Sequence, residues 1–168
     1  MPTLTVIIGY CGSGKSFWIE QKRVEFPDAY CQDEGAQLIP SGGLDPKVAE
    51  QLKKRDCFVS LMECGDPRNR AALEASVQQL VPGAVVKWIF FENDVDKANR
   101  NCRNDRQRSR AVEANVSQNN AFVPRFSIPD VSTVLPIHVL LDPDSEPAAS
   151  TSAEAPASEP EPEGPGRG

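Results

Sequence analysis

Residues 4–16 read Leu4-Thr5-Val6-Ile7-Ile8-Gly9-Tyr10-Cys11-Gly12-Ser13-Gly14-Lys15-Ser16, an apolar run followed directly by the pattern G-x-x-x-x-G-K-S. The apolar run predicts a buried strand. The three glycines allow the chain to turn tightly into a helix while successive backbone N–H groups face one point. N–H groups arranged in this way bind phosphate oxygens. The stretch therefore predicts a phosphate-binding loop, residues 9–16, between the first strand and the first helix of an α/β domain.

The loop also predicts the chemistry of its ligand. Lys15 is its catalytic cation, since an ammonium group at this position reaches the β- and γ-phosphates of ATP. The Ser16 hydroxyl is suited to be a ligand of Mg²⁺, and the positive end of the following helix dipole faces the same anion. The predicted ATP-binding residues of the loop are Gly9, Tyr10, Cys11, Gly12, Ser13, Gly14, Lys15 and Ser16.

Strand and helix signals alternate along the rest of the chain. Short apolar runs predict strands, whereas Asp-Pro pairs at 45–46 and 66–67 predict capped helix starts. The predicted strands are 3–8, 29–32, 57–62, 85–91 and 137–141, and the predicted helices are 15–25, 45–55, 66–80 and 94–116. This order predicts a three-layer α/β/α fold around a parallel sheet of about five strands.

Acidic residues directly follow several of the predicted strands, at the edge where open parallel sheets bind ligands. Asp33 follows the second strand and Glu63 the third. A kinase needs a carboxylate that orients the acceptor hydroxyl and takes its proton, and an acid that holds Mg²⁺ directly or through water. We predict Asp33 for the first role and Glu63, with Ser16, for the second. The alternative is that both are solvated loop acids, whereas helix capping fully explains Asp66.

Residues 97–110, the arginine segment, carry six positive charges and one negative. On one continuous helix, Arg103, Arg106 and Arg110 would lie within about 60° of one another. Such a face predicts a helical lid that binds ATP through Arg103 and Arg110 and stabilises the transferring phosphoryl group through Arg103 and Arg106. The same face could instead hold a DNA backbone, or could be a solvated surface.

The last residues of the chain differ in composition from the rest. From Pro143 onward no aromatic or branched aliphatic residue occurs, so this part lacks the side chains of a core. We predict a folded domain at 1–141 and a disordered acidic tail at 142–168. The tail holds seven acidic residues and one arginine, a net charge of −6, which equals the charge of the whole chain. The folded part is therefore neutral, and the acidity of the chain does not exclude a nucleic-acid partner.

Other features restrict the class of protein. No stretch approaches the roughly 20 apolar residues of a membrane span, and the first residues lack a signal-peptide pattern. A cytoplasmic location is therefore expected, in the host if the protein is viral. The five cysteines are an odd number without a C-x-x-C pair, which argues against a disulfide framework and against a zinc site.

Over about residues 3–130 the chain resembles the small phosphate-loop kinases, which include nucleoside monophosphate kinases, gluconate kinase and polynucleotide kinases. The resemblance lies in the loop 9–16, the strand-end acids and the arginine segment. Residues 63–68 resemble a segment of adenylate kinases, but one extra residue argues against a nucleotide-binding role for Arg68. Residues 88–93 and the arginine segment are most similar to phage-type kinases, a group that includes DNA kinases acting on 5-hydroxymethyluracil during thymine hypermodification.

The resemblance implies ATP and Mg²⁺ as cofactors and a hydroxyl of a nucleic acid or nucleotide as acceptor. The acceptor it favours is 5-hydroxymethyluracil in phage DNA, and the alternatives are a polynucleotide 5′-hydroxyl and a small molecule. A second class of function stays open, a nucleotide-dependent ATPase or switch that drives binding to a partner. That class needs a water-positioning residue and a mobile switch loop, neither of which is identifiable in the sequence.

Overall fold

The structure is a computed structural model, and it describes residues 1–33, 43–105 and 111–142. The strands are β1 (Thr3–Ile8), β2 (Tyr30–Gln32), β3 (Cys57–Ser60), β4 (Val85–Phe91) and β5 (Thr133–Leu135). The helices are α1 (Lys15–Glu25), α2 (Pro46–Leu52), α3 (Pro67–Leu80), α4 (Val95–Asn104) and α5 (Val112–Phe122). Single 3₁₀ turns follow β3 (Met62–Gly65) and α5 (Val123–Arg125).

The five strands form one parallel sheet in the order β2-β3-β1-β4-β5. β1 lies at its centre because it is apolar on both faces, and Leu4, Val6, Ile7 and Ile8 are fully buried. The chain leaves β1 toward one edge of the sheet, returns through β3, and crosses to the other side at β4. The carboxyl end of β1 is therefore the point where the strand order reverses, the place where such sheets bind ligands.

Aspartate side chains begin three of the helices. Asp45 accepts hydrogen bonds from the backbone N–H groups of Lys47 and Val48, and Asp94 accepts one from that of Lys97. Asp66 accepts a bond of 2.9 Å from the backbone N–H of Arg68, as expected for a cap. α1 differs from these helices, because its N-cap residue is Gly14, which has no side chain to cap it.

The prediction of a last strand at 137–141 is wrong. The last strand, which pairs with β4 on the side away from β1, is β5, and Pro136, which has no N–H, follows it at once. The next N–H, that of Ile137, donates to a carboxylate oxygen of Glu92 at 2.9 Å instead of continuing the ladder. Ile137 is buried, but Leu141 is 86% exposed, so the apolar run enters the core only at its first residue.

The prediction of one helix over 94–116 is also wrong. α4 ends at Asn104, Asp105 has an extended backbone, and α5 begins at Val112. α4 and α5 lie side by side, with the Asn119 amide donating to the side-chain oxygen of Asn99 at 2.9 Å. Arg103 therefore does not share one continuous helix with the arginines that follow. Arg106 and Arg110 lie outside the described residues.

The acidic tail lies outside the described residues except for Asp142, which is exposed. None of the helices in the described ranges has both the length and the apolar composition that crossing a membrane requires.

Candidate phosphate-binding site

The predicted phosphate loop lies between β1 and α1, at the centre of the carboxyl edge of the sheet. Its first turn is closed by the Ser13 N–H, which donates to the Tyr10 carbonyl at 3.2 Å. Gly12 and Gly14 have φ values of 84° and 108°, which L side chains rarely adopt. A Cβ atom on Gly12 would lie 2.3 Å from the Ala98 carbonyl oxygen of α4. The glycines therefore allow both the turn and the close contact between the loop and α4.

Lys15 lies folded across the loop. Its ammonium group donates to the carbonyl oxygens of Gly9 and Tyr10 at 2.9 and 2.8 Å. Because Lys15 is also the first residue of α1, its charge lies beside the helix end where the peptide dipoles are positive. The loop therefore concentrates positive potential at its centre, as an anion site requires.

Two further observations fit a phosphate ligand. The hydroxyl of Ser13 is buried and has no hydrogen-bond partner among the described residues. α1 begins without a side-chain cap, and the first N–H groups of a helix have no acceptor within the helix. Buried polar groups are nearly always hydrogen-bonded, and phosphate oxygens would satisfy donors of this kind. The loop therefore fits the phosphates of a nucleotide.

A magnesium site would depend on few protein ligands. Within the described ranges, no three or more histidine, cysteine, aspartate or glutamate side chains form a group that could hold a metal ion. Ser16 is half-buried at the start of α1, and Glu63 is half-buried in the 3₁₀ turn after β3, the strand beside β1. A hydroxyl and a carboxylate are the oxygen ligands that Mg²⁺ accepts, with phosphate oxygens and water completing its coordination. The donor set fits this ion.

Asp33 lies on the other side of β3 from the loop. It directly follows β2, and one of its carboxylate oxygens accepts a hydrogen bond of 3.0 Å from the Ser60 hydroxyl. Ser60 ends β3 and is in register with Ile7 of β1. Two strand spacings thus separate Asp33 from β1, which is about 10 Å. An acceptor group could lie between this carboxylate and the phosphate loop.

Buried asparagines of α4 and α5 form hydrogen bonds with the backbone of the phosphate loop. The sequence analysis did not identify them. The Asn119 side chain of α5 accepts from the Cys11 N–H at 2.8 Å and donates to the Cys11 carbonyl at 2.9 Å. The Asn101 amide of α4 donates to the Gly12 carbonyl at 2.9 Å. The thiol of Cys102 donates to the Cys11 carbonyl at 3.2 Å. The sequence did carry one signal for these asparagines, because asparagine is a poor helix former and yet recurs through both helices.

The aromatic residues of the site belong mostly to the core. Tyr10 is fully buried, stacks on Phe126 with ring centroids 4.6 Å apart, and donates its hydroxyl to Asn93 at 2.7 Å. Burial raises the pKa of Tyr10 above its usual value, so this phenol stays neutral at physiological pH. Phe17 is the exception, with 69% of its surface exposed. Tyr10 therefore supports the loop through packing and a hydrogen bond.

The charged residues near the site differ in their partners. Arg103 lies exposed in the last turn of α4, the helix that contacts the loop through Asn101. Arg68 binds Asp66 at 2.7 Å, which accounts for it without a nucleotide. Lys97 binds Glu92 at 2.7 Å, and this hydrogen bond holds the pKa of the Glu92 carboxyl below its usual value. Arg68 and Lys97 are thus both paired with carboxylates of the protein itself.

Comparison with known proteins gives a result at the level of the fold. No family model and no curated protein matches the chain. A gluconokinase from Sinorhizobium meliloti 1021 is similar with a TM-score of 0.56 and 14% identity, over 81% of this chain and 83% of that chain. A fungal RNA kinase is similar with a TM-score of 0.51 and 15% identity, over 86% of this chain and 77% of that chain. The chain has a phosphate-loop kinase-like α/β fold, as the sequence predicted.

Proposed function

We propose that this chain is an ATP- and Mg²⁺-dependent kinase that transfers the γ-phosphoryl group to a hydroxyl of a nucleic acid or nucleotide. The observation that carries the proposal is the phosphate loop at the switch point of the sheet. Its buried Ser13 hydroxyl has no hydrogen-bond partner within the described ranges, and α1 starts without a side-chain cap. The fold adds support, because both similar structures bear the names of kinases.

The positions of these residues in the fold support the proposed roles. Lys15 and the N–H groups at the start of α1 bind the phosphates, and Ser16 and Glu63 hold the metal. When bound, ATP supplies the phosphoryl group, and Mg²⁺ reduces the negative charge that the acceptor oxygen must approach. Asp33 orients the acceptor hydroxyl and takes its proton, while Ser60 fixes the carboxylate through its hydrogen bond.

Three arginines complete the proposal. Arg103 and Arg106 stabilise the charge on the migrating group, and Arg103 and Arg110 bind ATP. Support for Arg103 is its place in the last turn of α4, directly after Cys102, whose thiol donates to the Cys11 carbonyl of the loop. The order of the sequence brings Arg106 and Arg110 after it, but outside the described residues. The roles of the last two therefore rest on the resemblance to arginine-bearing lids.

The acceptor is the finer part of the proposal. One similar structure is named for RNA and the other for gluconate, so both a polynucleotide and a polyol belong among the candidates. Our specific proposal is 5-hydroxymethyluracil in phage DNA, whose CH₂OH group is a primary alcohol of the required kind. It rests on the similarity of residues 88–93 and the arginine segment to phage-type kinases. The alternatives are a polynucleotide 5′-hydroxyl and a small molecule.

The test is transfer of labelled γ-phosphate from ATP, with Mg²⁺, to a panel of acceptors. The panel holds duplex DNA with 5-hydroxymethyluracil, unmodified DNA and RNA with free 5′-hydroxyls, nucleosides, nucleoside monophosphates and gluconate. Lys15→Ala is the inactive variant. Lys22→Ala is its matched control, because Lys22 lies on the same helix and its amine binds Glu25 rather than the loop.

The pattern of labelling decides among the acceptors. Label on hydroxymethyluracil DNA alone supports the specific proposal, and label on 5′-ends makes the protein a polynucleotide kinase. If no acceptor is labelled while ATP is hydrolysed in a manner that depends on Lys15, the kinase proposal is wrong. The protein is then an ATPase or switch.

A further inference from the structure

The shape of the phosphate loop depends on side chains from outside the loop. The peptide groups of Cys11 and Gly12, in the middle of the loop, form hydrogen bonds with side chains of α4 and α5. Both helices come about 90 to 110 residues later in the chain. Of these side chains, Asn119 is fully buried, and it is bound to both the N–H and the carbonyl of the same residue, Cys11.

The hydrogen bonds of Asn119 favour a single orientation of its side chain. Its oxygen accepts from the Cys11 N–H, and its amide donates to the Cys11 carbonyl and to the side-chain oxygen of Asn99. Asn99 in turn donates to Asn120 at 2.9 Å. Since a buried amide is costly unless its donors and acceptors are satisfied, the side chain has one favourable orientation. Asn119 is therefore a rigid point of attachment.

The attachment determines which way the loop presents its N–H groups. The Cys11 N–H points to α5 and is engaged there, so this peptide faces away from a bound anion. The chain then turns through Gly12 and Gly14, both at positive φ, and brings the later N–H groups to the start of α1. If the Cys11 peptide rotated, these N–H groups would no longer converge on one point.

We infer that Asn119 is a positioning residue for nucleotide binding: it fixes the phosphate loop in its anion-binding shape without contacting the nucleotide. The inference rests on the proposed function, since it takes residues 9–16 to bind phosphates. Without the Asn119 amide, the half-buried peptide groups of Cys11 would turn toward other partners, and nucleotide binding would have to restore the shape of the loop. The loss of affinity should therefore come from the phosphate groups of the ligand, because they contact the loop.

The experiment compares Asn119→Leu with Asn115→Leu by calorimetric titration with ATP and with inorganic tripolyphosphate, at a temperature where each variant is folded. Leucine is branched at Cγ as asparagine is, but it is larger and cannot bond to the Cys11 peptide groups. Asn115 is the matched control, because it lies one turn earlier on the same helix, whereas the bonds to the Cys11 peptide groups come from Asn119. We expect Asn119→Leu to bind both ligands on the order of tenfold more weakly, the cost of a buried polar group without its partner. Asn115→Leu should bind both as the wild type does.

A purely structural role gives a different result. It would lower the thermal stability of Asn119→Leu but leave the affinity of the folded protein for tripolyphosphate unchanged, and that result would overturn the inference. If Asn119→Leu does not fold, Asn119→Ala carries the test, since the space admits a water that bonds to Cys11, and a several-fold loss is expected. A wild-type protein that binds neither ligand would reject the proposed function and the inference together. If the wild type binds the ligands and the Asn119 variant binds them equally well, the inference alone is rejected.

Discussion

Gly12 offers a direct test of the contact between the phosphate loop and α4, through the substitution Gly12→Ala. Its φ of 84° costs a residue with a Cβ about 1–2 kcal/mol. The new Cβ would also lie 2.3 Å from the Ala98 carbonyl oxygen and 2.9 Å from the Cys102 sulfur. No side-chain rotation relieves a contact with a helix backbone, so the loop and α4 must separate. The hydrogen bonds of Asn101 and Cys102 to the loop then weaken, at about 1 kcal/mol each.

Gly83 provides the matched control. Its φ is 85°, nearly that of Gly12, but the nearest atom to an added Cβ is the Met1 sulfur at 3.8 Å. Gly83→Ala should therefore cost the backbone strain alone, about 1–2 kcal/mol, whereas Gly12→Ala should cost about 3–4 kcal/mol. At roughly 3 °C per kcal/mol for a domain of this size, Tm should fall by about 10 °C for Gly12→Ala and about 5 °C for Gly83→Ala.

Urea unfolding followed by circular dichroism measures the two free energies of unfolding, and titration with ATP measures the consequence for the site. Gly12→Ala should also lose affinity for ATP, because the loop moves, while Gly83→Ala should bind ATP as the wild type does. Equal destabilisation of the two variants, within about 0.5 kcal/mol, would refute the packing of α4 against the loop.

Three further outcomes are expected. Asp33→Asn can still accept the Ser60 hydrogen bond but cannot take a proton, so phosphoryl transfer should fall about 10²- to 10⁴-fold with ATP affinity unchanged; normal transfer would remove Asp33 from the mechanism. The hydrogen bond from Arg68 lowers the pKa of Asp66 from 3.8 to about 2, so this carboxylate stabilises the fold above pH 4 and loses its contribution as the pH falls toward 2. Unfolding measured between pH 5 and 2 should show a smaller loss of stability for Asp66→Asn than for the wild type, and parallel curves would contradict this. Deletion of residues 143–168 should leave Tm unchanged, because that composition supplies no core, and a fall of several degrees would place the domain boundary later in the chain.

The parts of the fold that follow from local signals were predictable. The bounds of β1, α1 and β4 agree with the sequence prediction, because an apolar run, a glycine-rich turn and a Pro-Gly turn each act on their immediate neighbours. The capped start of α3 at Asp66 was predictable for the same reason. The phosphate loop belongs to this group, since all of its positions are contiguous.

Both wrong predictions depend on contacts between residues that are distant in sequence, although Pro136 was a local signal against the first. The run 137–141 is apolar enough for a strand, but Pro136 and the Glu92 carboxylate end the ladder before it. No glycine or proline occurs at 105–111 to mark the break between α4 and α5, and a hydrogen bond from Asn119 to Asn99 joins the two helices. Polar side chains contribute to the structure at both places, the end of β5 and the break between α4 and α5. The periodicity of apolar residues carries no information about such polar contacts.

The asparagine contacts also explain why the end of the described chain lies against the site. The Asn101 amide donates to the Gly12 carbonyl at 2.9 Å and to the His138 carbonyl at 2.8 Å, and its oxygen accepts from the Leu140 N–H at 2.7 Å. The Asn104 amide adds a bond to the Leu140 carbonyl at 3.0 Å. These side chains replace the partners that a neighbouring strand would have given to 138–140. Because Asn101 is 4% exposed and bonded on both sides, a displacement of this segment must either break these bonds or move Gly12 with it. The geometry of the phosphate loop therefore depends on residues that follow the last strand, far from it in sequence and directly joined to it through Asn101.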